Sequence, residues 1–306
     1  MSVDAWPTFI VGGVSKAGTT ALYEYLRQHP DVFMSPHKEP YFFAFEGVGS
    51  HFTGPGDERT NANAVTDIAA YTALFRDAGA ARARGEASAV YLYAERAAPA
   101  IKAHVPQARL VFLLREPVQR AFSSYLHQVR EGWEPCRDFA DALAAEETRI
   151  AAGWHYLWHY VGMGKYAAQI ERYLRLFSRE QILFILSEDL DADPVGTSQQ
   201  VYRFVGVDDT FVPDVSVRWN ATGVARSEIL HSLYVYARQA PALLRRMVRA
   251  VVPAHSRRRL LNRIRAPIFH KPKLDPALHR ATLDRLAEDI ARTGKLIGRD
   301  LGHWLG

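Results

Sequence analysis

Three short apolar runs stand out along this chain: Phe9-Ile10-Val11, residues 110–114 and residues 182–186. Runs of this length without polar alternation predict strands buried on both faces of a parallel sheet. Asp31-Val32-Phe33-Met34 predicts a further short strand, and residues 85–91 predict one that runs into a loop. Between these runs the spacing becomes helical. Ala21, Leu22, Tyr25 and Leu26 share one face of a helix that His29-Pro30 brings to an end, because proline cannot continue a helix. Helices are predicted over 68–78, 94–103, 138–152, 166–177 and 199–205, and Pro117 suits the first position of another. Residues 46–66, rich in Gly, Asn, Thr and Asp without periodicity, predict a loop, a candidate cover over a site. Residues 275–304 predict one helix, stopped at Gly294, and a short tail. Strands alternating with helices give an α/β fold with a central parallel sheet of four to five strands. No repeat or low-complexity linker divides it, so residues 1–306 are expected to form a single domain.

Composition narrows the setting. At 306 residues, 48% hydrophobic and 23% charged, the chain can bury a large core. A net charge of +5 neither requires nor excludes a polyanion, and nucleic acid is not an expected partner. One cysteine, Cys136, rules out an internal disulfide and a cysteine metal cluster. The first residues show no basic region, apolar run or cleavage site, and nothing approaches the roughly 20 apolar residues of a membrane span. A cytoplasmic protein made in a reducing compartment is expected.

The chemistry starts where the first strand meets the first helix. Gly13, four residues, Gly18, then Thr19 and Thr20 is nearly the spacing of a P-loop. Strand, turn and helix in this order aim the first free N–H groups of the helix, and its positive dipole end, at an anion such as phosphate. An NTPase needs lysine directly after the second glycine and a hydroxyl next for magnesium. Here Thr19 takes the lysine's place, and Lys16 lies inside the turn. A cation there can neutralise charge building on a leaving oxygen. The plain alternative is an ordinary βα turn with a chance lysine.

The strand over 110–114 ends in Arg115, where an NTPase would carry an aspartate for magnesium. A fixed guanidinium there suits a second phosphate, with Ser123 on the following helix able to add a hydroxyl. Alternatively Arg115 salt-bridges Glu86 or Glu116, and Ser123 packs. Glu39, in the loop 35–43, can take a proton from an acceptor hydroxyl; His37 is the rival base, or a solvated loop histidine. His155 and His159 sit four apart in an aromatic cluster over 153–160. Without an evident third ligand, packing or acceptor binding is the favoured reading over zinc. From 241 to 273, ten Lys or Arg occur without an acid. This basic, amphipathic helical segment suits peripheral contact with an anionic membrane surface, an anionic acceptor, or simply a solvated face or dimer contact.

Lys16-Ala17-Gly18-Thr19-Thr20-Ala21-Leu22 with His29-Pro30 resembles the 5′-phosphosulfate loop of sulfotransferases dependent on 3′-phosphoadenylyl sulfate (PAPS). The nearest likeness is to the heparan sulfate branch and its bacterial relatives. Leu114-Arg115-Glu116-Pro117 through Arg120 and Ser123-Ser124-Tyr125 resembles the same family's 3′-phosphate motif, and Lys38-Glu39-Pro40-Tyr41-Phe42-Phe43 its base-bearing segment. Residues 162–177, 187–190 and the ending 298–301 with Trp304 are similar to bacterial members, so the likeness covers almost the whole chain. It implies a P-loop NTPase-like, three-layer fold and metal-independent, in-line sulfuryl transfer from PAPS. The acceptor would be a hydroxyl, or second an amine, of a carbohydrate, glycolipid or small natural product. Lys16, Ala17, Gly18, Thr19 and Thr20 would hold the 5′-phosphosulfate, and Arg115 and Ser123 the 3′-phosphate. Glu39 would be the base, and Trp219, Asn220 and Arg226 would close over the nucleotide. Two departures weigh against a heparan-like polymer: Ala87 stands where those enzymes carry lysine, and their disulfide-flanked closing loop has no counterpart. The rivals are a nucleotide kinase or NTPase, and a non-catalytic module binding anionic lipid or polysaccharide through 241–273.

Overall fold

The computed structural model describes residues 6–217 and 272–306, together with the backbone of 224–225 and 269–270. Its centre is a five-stranded sheet in the order β2-β3-β1-β4-β5: β1 Phe9–Gly13, β2 Val32–Met34, β3 Ala83–Ala87, β4 Arg109–Leu114 and β5 Ile182–Leu186. All four pairings are parallel. The apolar runs form β1, β4 and the edge strand β5, because a parallel strand covered by helices on both faces has no solvent side to spend on polar residues. Every residue of β1 is buried, as is β4 from Leu110 onward. β4 and β5 pair in unbroken register from Leu110 with Ile182 to Leu114 with Leu186. Burying each such large side chain stabilises the fold by about 1.5–3 kcal/mol.

Helices flank the sheet as the βα alternation requires, in a P-loop NTPase-like, three-layer arrangement. In chain order they are α1 Thr19–Leu26, α2 Phe42–Phe45, α3 Glu58–Asn63, α4 Ile68–Ala73, α5 Ala97–His104 and α6 Pro117–Glu131. After them come α7 Phe139–Ala144, α8 Glu146–Ala151, α9 Tyr166–Leu174, α10 Ser187–Ala192, α11 Pro194–Val205, α12 Pro276–Asp284 and α13 Ala287–Ile297. α1 packs on α11, with Tyr202 Oη donating to the carbonyl of Tyr25 at 2.9 Å. α9 packs on α13, and Tyr173 of α9 meets Phe112 of β4 edge-on. No helix among the described residues is long and apolar enough to cross a membrane. The backbone pair Val224–Ala225 and Phe269–His270 runs antiparallel beside α6. The expected closing residues Trp219, Asn220 and Arg226, and residues 241–268 and 271 of the basic segment, lie outside the described residues.

Three expectations need correction. Residues 46–66 are not all loop, since α3 forms there, beside the buried Asp57. Asp57 accepts from the N–H groups of Gly54 and His155 and from Trp158 Nε1, tying the segment to the aromatic cluster. The helix over 138–152 divides at Ala145 into α7 and α8. The C-terminal segment is two helices, and Gly294 lies within the second, which ends at the left-handed Gly298. Gly294 is there for closeness, because a Cβ would stand 2.8 Å from the carbonyl oxygen of Arg299.

Below the aromatic cluster, Arg149 of α8 pairs with Glu134 at 2.6 Å, both side chains almost fully buried. The guanidinium lies over the rings of Trp154, Trp158 and Tyr160, and Tyr160 Oη donates to the same carboxylate at 2.5 Å. Arg149→Ala leaves a buried anion unpaired and should destabilise the protein by about 3–5 kcal/mol, read from the urea midpoint. A loss below about 1 kcal/mol would show that water already reaches the pair.

Candidate active site

The site is built where β1, β3 and β4 end. β1 runs into the turn 14–18 and α1 begins at Thr19. Gly18, at φ 103°, precedes that helix, and a Cβ there would stand 3.0 Å from Leu190 Cδ2, so glycine alone fits. No side chain caps α1, which leaves its first N–H groups directed into the turn. Thr19 is buried and Thr20 half-buried at that same helix start, and Ala17 is buried beneath.

Lys16 takes a left-handed backbone, φ 75°, uncommon for a residue with a Cβ. Its carbonyl accepts from Arg115 Nη1 at 3.0 Å, so the residue ending β4 pins the turn after β1. Arg115 therefore pairs with neither Glu86 nor Glu116. Glu116 instead caps α6, accepting from the N–H groups of Val118 and Gln119, with Pro117 at the first helical position. Ser123 follows, buried, on α6.

Burial brings the Lys16 ammonium down from its ordinary value to about 7. The guanidinium of Arg130 adds to this, then that of Arg115 and the ammonium of Lys38 in lesser degree, against the opposing charge of Glu131. Lys16, Arg115, Arg130 and Lys38 gather here against the carboxylates of Glu131 and Glu39, an excess of positive charge that suits an anion.

The loop after β2 reaches across β3 to this turn. Glu39 Oε2 accepts from the N–H of Ala89 at 2.7 Å, and the carbonyl of Ala89 accepts from Ser15 Oγ at 3.3 Å. One peptide segment thus joins the carboxylate to the residue preceding Lys16. Lys38 Nζ holds the other oxygen, Glu39 Oε1, at 2.5 Å. Glu39 and Tyr41 both have left-handed backbones, φ 62° and 58°. Burial, and then the Glu39 carboxylate beside it, push the Tyr41 hydroxyl well above its ordinary value. His37 is half-buried rather than solvated, and its Nε2 has no hydrogen-bond partner among the described residues.

The structure therefore brings together Lys16, Arg115 and Glu39, with Gly18, Thr19 and Thr20 at the helix start. It adds Lys38, Arg130 and Glu131, which sequence reasoning passed over. Arg130 and Glu131 end α6, and their charges act on Lys16 from the far end of that helix. Lys38 offered a signal in its adjacency to Glu39. The histidine pair belongs to packing. The two flank a short 3₁₀ turn, Tyr156–Trp158, and burial lowers His155 to about 3 and His159 to about 4. His159 Nδ1 meets Tyr93 Oη at 2.9 Å. Among the described residues no group of three His, Cys, Asp or Glu could hold a metal ion.

The family model described as "Sulfotransferase family" matches residues 7–211, about two thirds of the chain and all of the site just described. The chain belongs to the sulfotransferase family. This sulfotransferase is 30% identical over 201 residues to mouse heparan sulfate glucosamine 3-O-sulfotransferase 3B1, covering 66% of the chain and 46% of that relative. It is 28% identical over 227 residues to mouse bifunctional heparan sulfate N-deacetylase/N-sulfotransferase 4, covering 67% of the chain and 23% of that relative. The sulfotransferase thus spans from about a quarter to about half of these relatives' lengths. Among solved structures, a sulfotransferase from Alicyclobacillus acidocaldarius matches over 98% of both chains, with a TM-score of 0.76 and 34% identity.

Proposed function

We propose that this enzyme transfers the sulfuryl group of PAPS, in line, to an acceptor hydroxyl, and that a carbohydrate, glycolipid or small natural product carries that hydroxyl. The observation that supports this best is the joining of cation turn and carboxylate through Ser15, Ala89 and Glu39. The first N–H groups of α1, with Thr19, Thr20 and the backbone of Ala17 and Gly18, would hold the 5′-phosphosulfate. Arg115 and Ser123 would hold the 3′-phosphate, with Trp219, Asn220 and Arg226 closing over the nucleotide. The acceptor O–H gives its proton to Glu39 as its oxygen bonds to sulfur. The bond from sulfur to the 5′-phosphate oxygen breaks, and Lys16 neutralises the charge arriving there. The products are a sulfate ester and adenosine 3′,5′-bisphosphate. Both relatives' names specify heparan sulfate, and one of them its glucosamine, which supports a carbohydrate acceptor here. Side-chain cations supply the charge, so the reaction should be metal-independent.

The test is transfer from labelled PAPS to a panel of glycans, glycolipids and small alcohols, with and without EDTA. Sulfate esters should form equally in both. ATP accepted as readily as PAPS, or activity lost to EDTA, would overturn the reading. Arg115→Ala should weaken adenosine 3′,5′-bisphosphate binding about 10- to 100-fold, as charge-assisted hydrogen bonds to a phosphate are worth about 1.5–3 kcal/mol. Adenosine 5′-phosphate, lacking the 3′-group, should bind mutant and wild type alike. Equal losses for both nucleotides would mean that Arg115 acts only by pinning the turn.

A further inference from the structure

The structure assigns to Glu86 the role of positioning residue for the loop that carries Glu39, an inference that rests on reading Glu39 as the base. Glu86 is fully buried near the end of β3, the strand between β2 and β1. Among the described residues it makes no ion pair; its partners are hydroxyls. Tyr71 Oη donates to Oε1 at 3.2 Å and Ser88 Oγ to Oε2 at 2.9 Å, and the Tyr91 hydroxyl lies beside the carboxylate.

Two of these hydroxyls serve a second partner. Ser88 Oγ accepts from the N–H of Tyr41 at 3.1 Å, and Tyr91 Oη accepts from the N–H of Phe43 at 3.3 Å. With the Ser88 proton committed to Glu86, the hydroxyl's lone pair faces the backbone just after Glu39, and the Tyr91 hydroxyl beside the carboxylate does the same for Phe43. That orientation needs an acceptor-only carboxylate at the hub. The backbone so held is one that would not keep its shape unaided, since Glu39 and Tyr41 are both left-handed and flank Pro40, which has no N–H to give. The same segment fixes the base at the other end, through the N–H of Ala89.

The groups facing Glu86 are Tyr71 from α4, Ser88 and Tyr91 from the turn after β3, Glu39 and Tyr41 from the loop after β2, and Tyr173 from α9. Burial raises the Glu86 carboxyl to about 7, against the pull of the hydroxyls. As pH falls through that value Glu86 gains a proton, one hydroxyl must turn away, and its hold on residue 41 or 43 is lost. Turnover should therefore fall on the acid side of about pH 7.

The experiment compares wild type, Glu86→Gln, Ser88→Ala and Glu39→Gln. Glu86→Gln, whose amide keeps an acceptor on one side only, should lower kcat at least about tenfold, as expected of a slightly misplaced catalytic group. It should leave adenosine 3′,5′-bisphosphate affinity within about twofold and lose the acid-side dependence near pH 7. Ser88→Ala removes only the relay to Tyr41. It should lower kcat with the same nucleotide affinity, and it carries the test if Glu86→Gln does not fold. An unchanged kcat in Ser88→Ala and Glu86→Gln, or an acid limb that survives in Glu86→Gln, overturns the inference. If Glu39→Gln retains wild-type turnover, the base reading itself fails; if Glu39→Gln is inactive while Glu86→Gln is normal, only the positioning role does.

Discussion

Lys16→Ala should lower turnover at least about a hundredfold, because in the proposed reaction it removes the ammonium that neutralises the departing oxygen. The backbone commits the residue to the turn: φ is 75°, and Arg115 grips its carbonyl. An interaction that strengthens as charge develops lowers kcat more than ligand affinity. Adenosine 3′,5′-bisphosphate should therefore bind Lys16→Ala with a much smaller loss, read by calorimetry. A drop in kcat of less than about fivefold would mean that the N–H groups of α1 carry the leaving group alone. The ammonium also writes a pH signature. In the protein by itself, burial and then Arg130 hold it at about 7. A phosphate beside it favours the charged form, so binding raises the affinity of Lys16 for its proton. Above pH 7 the nucleotide must then bind together with a proton, and affinity should fall by up to about tenfold per pH unit. At pH 8 about one proton should be taken up by wild type and none by Lys16→Ala, a difference visible in buffers of unlike ionisation enthalpy.

The sheet was legible because β1, β4 and β5 are built on continuous apolar runs, and the turn because glycine spacing survives translation into geometry. Both signals are local. What escaped notice depends on distant parts. α3 has no buried residue to mark it, and beside it stands Asp57, whose partners lie about a hundred residues away at His155 and Trp158. Gly294 looked like a stop because glycine usually ends helices, whereas the returning tail at Arg299 demands its missing Cβ. Arg130 and Glu131 carry no motif of their own, and only the path of α6 places them by Lys16. Glu86 could have been noticed, since an acid in a strand with Ser88 and Tyr91 following is an unusual thing to bury. Its partners, however, are set by the crossing of two loops over the sheet.

Glu39→Ala should likewise cost at least about a hundredfold in turnover, the ordinary worth of a general base, while nucleotide affinity stays within about twofold. The expectation rests on how the carboxylate is held. The N–H of Ala89 fixes one oxygen and Lys38 the other, and Asn63 Nδ2 donates to the residue's own carbonyl at 2.9 Å. A side chain fastened at both ends, on a left-handed backbone, is organised for direction rather than for solubility. Glu39→Gln sharpens the matter. The amide oxygen can still accept from Ala89, so the loop keeps its anchor, but no proton can be taken from the acceptor. Loss in Gln equal to loss in Ala marks the base; recovery in Gln marks a merely structural carboxylate. His37 supplies the competing outcome, because its buried Nε2 lies in the same loop without a hydrogen-bond partner among the described residues. Should His37→Ala abolish transfer while Glu39→Gln retains it, the proton goes to the imidazole, and the ion pair between Lys38 and Glu39 becomes a clasp that closes the loop.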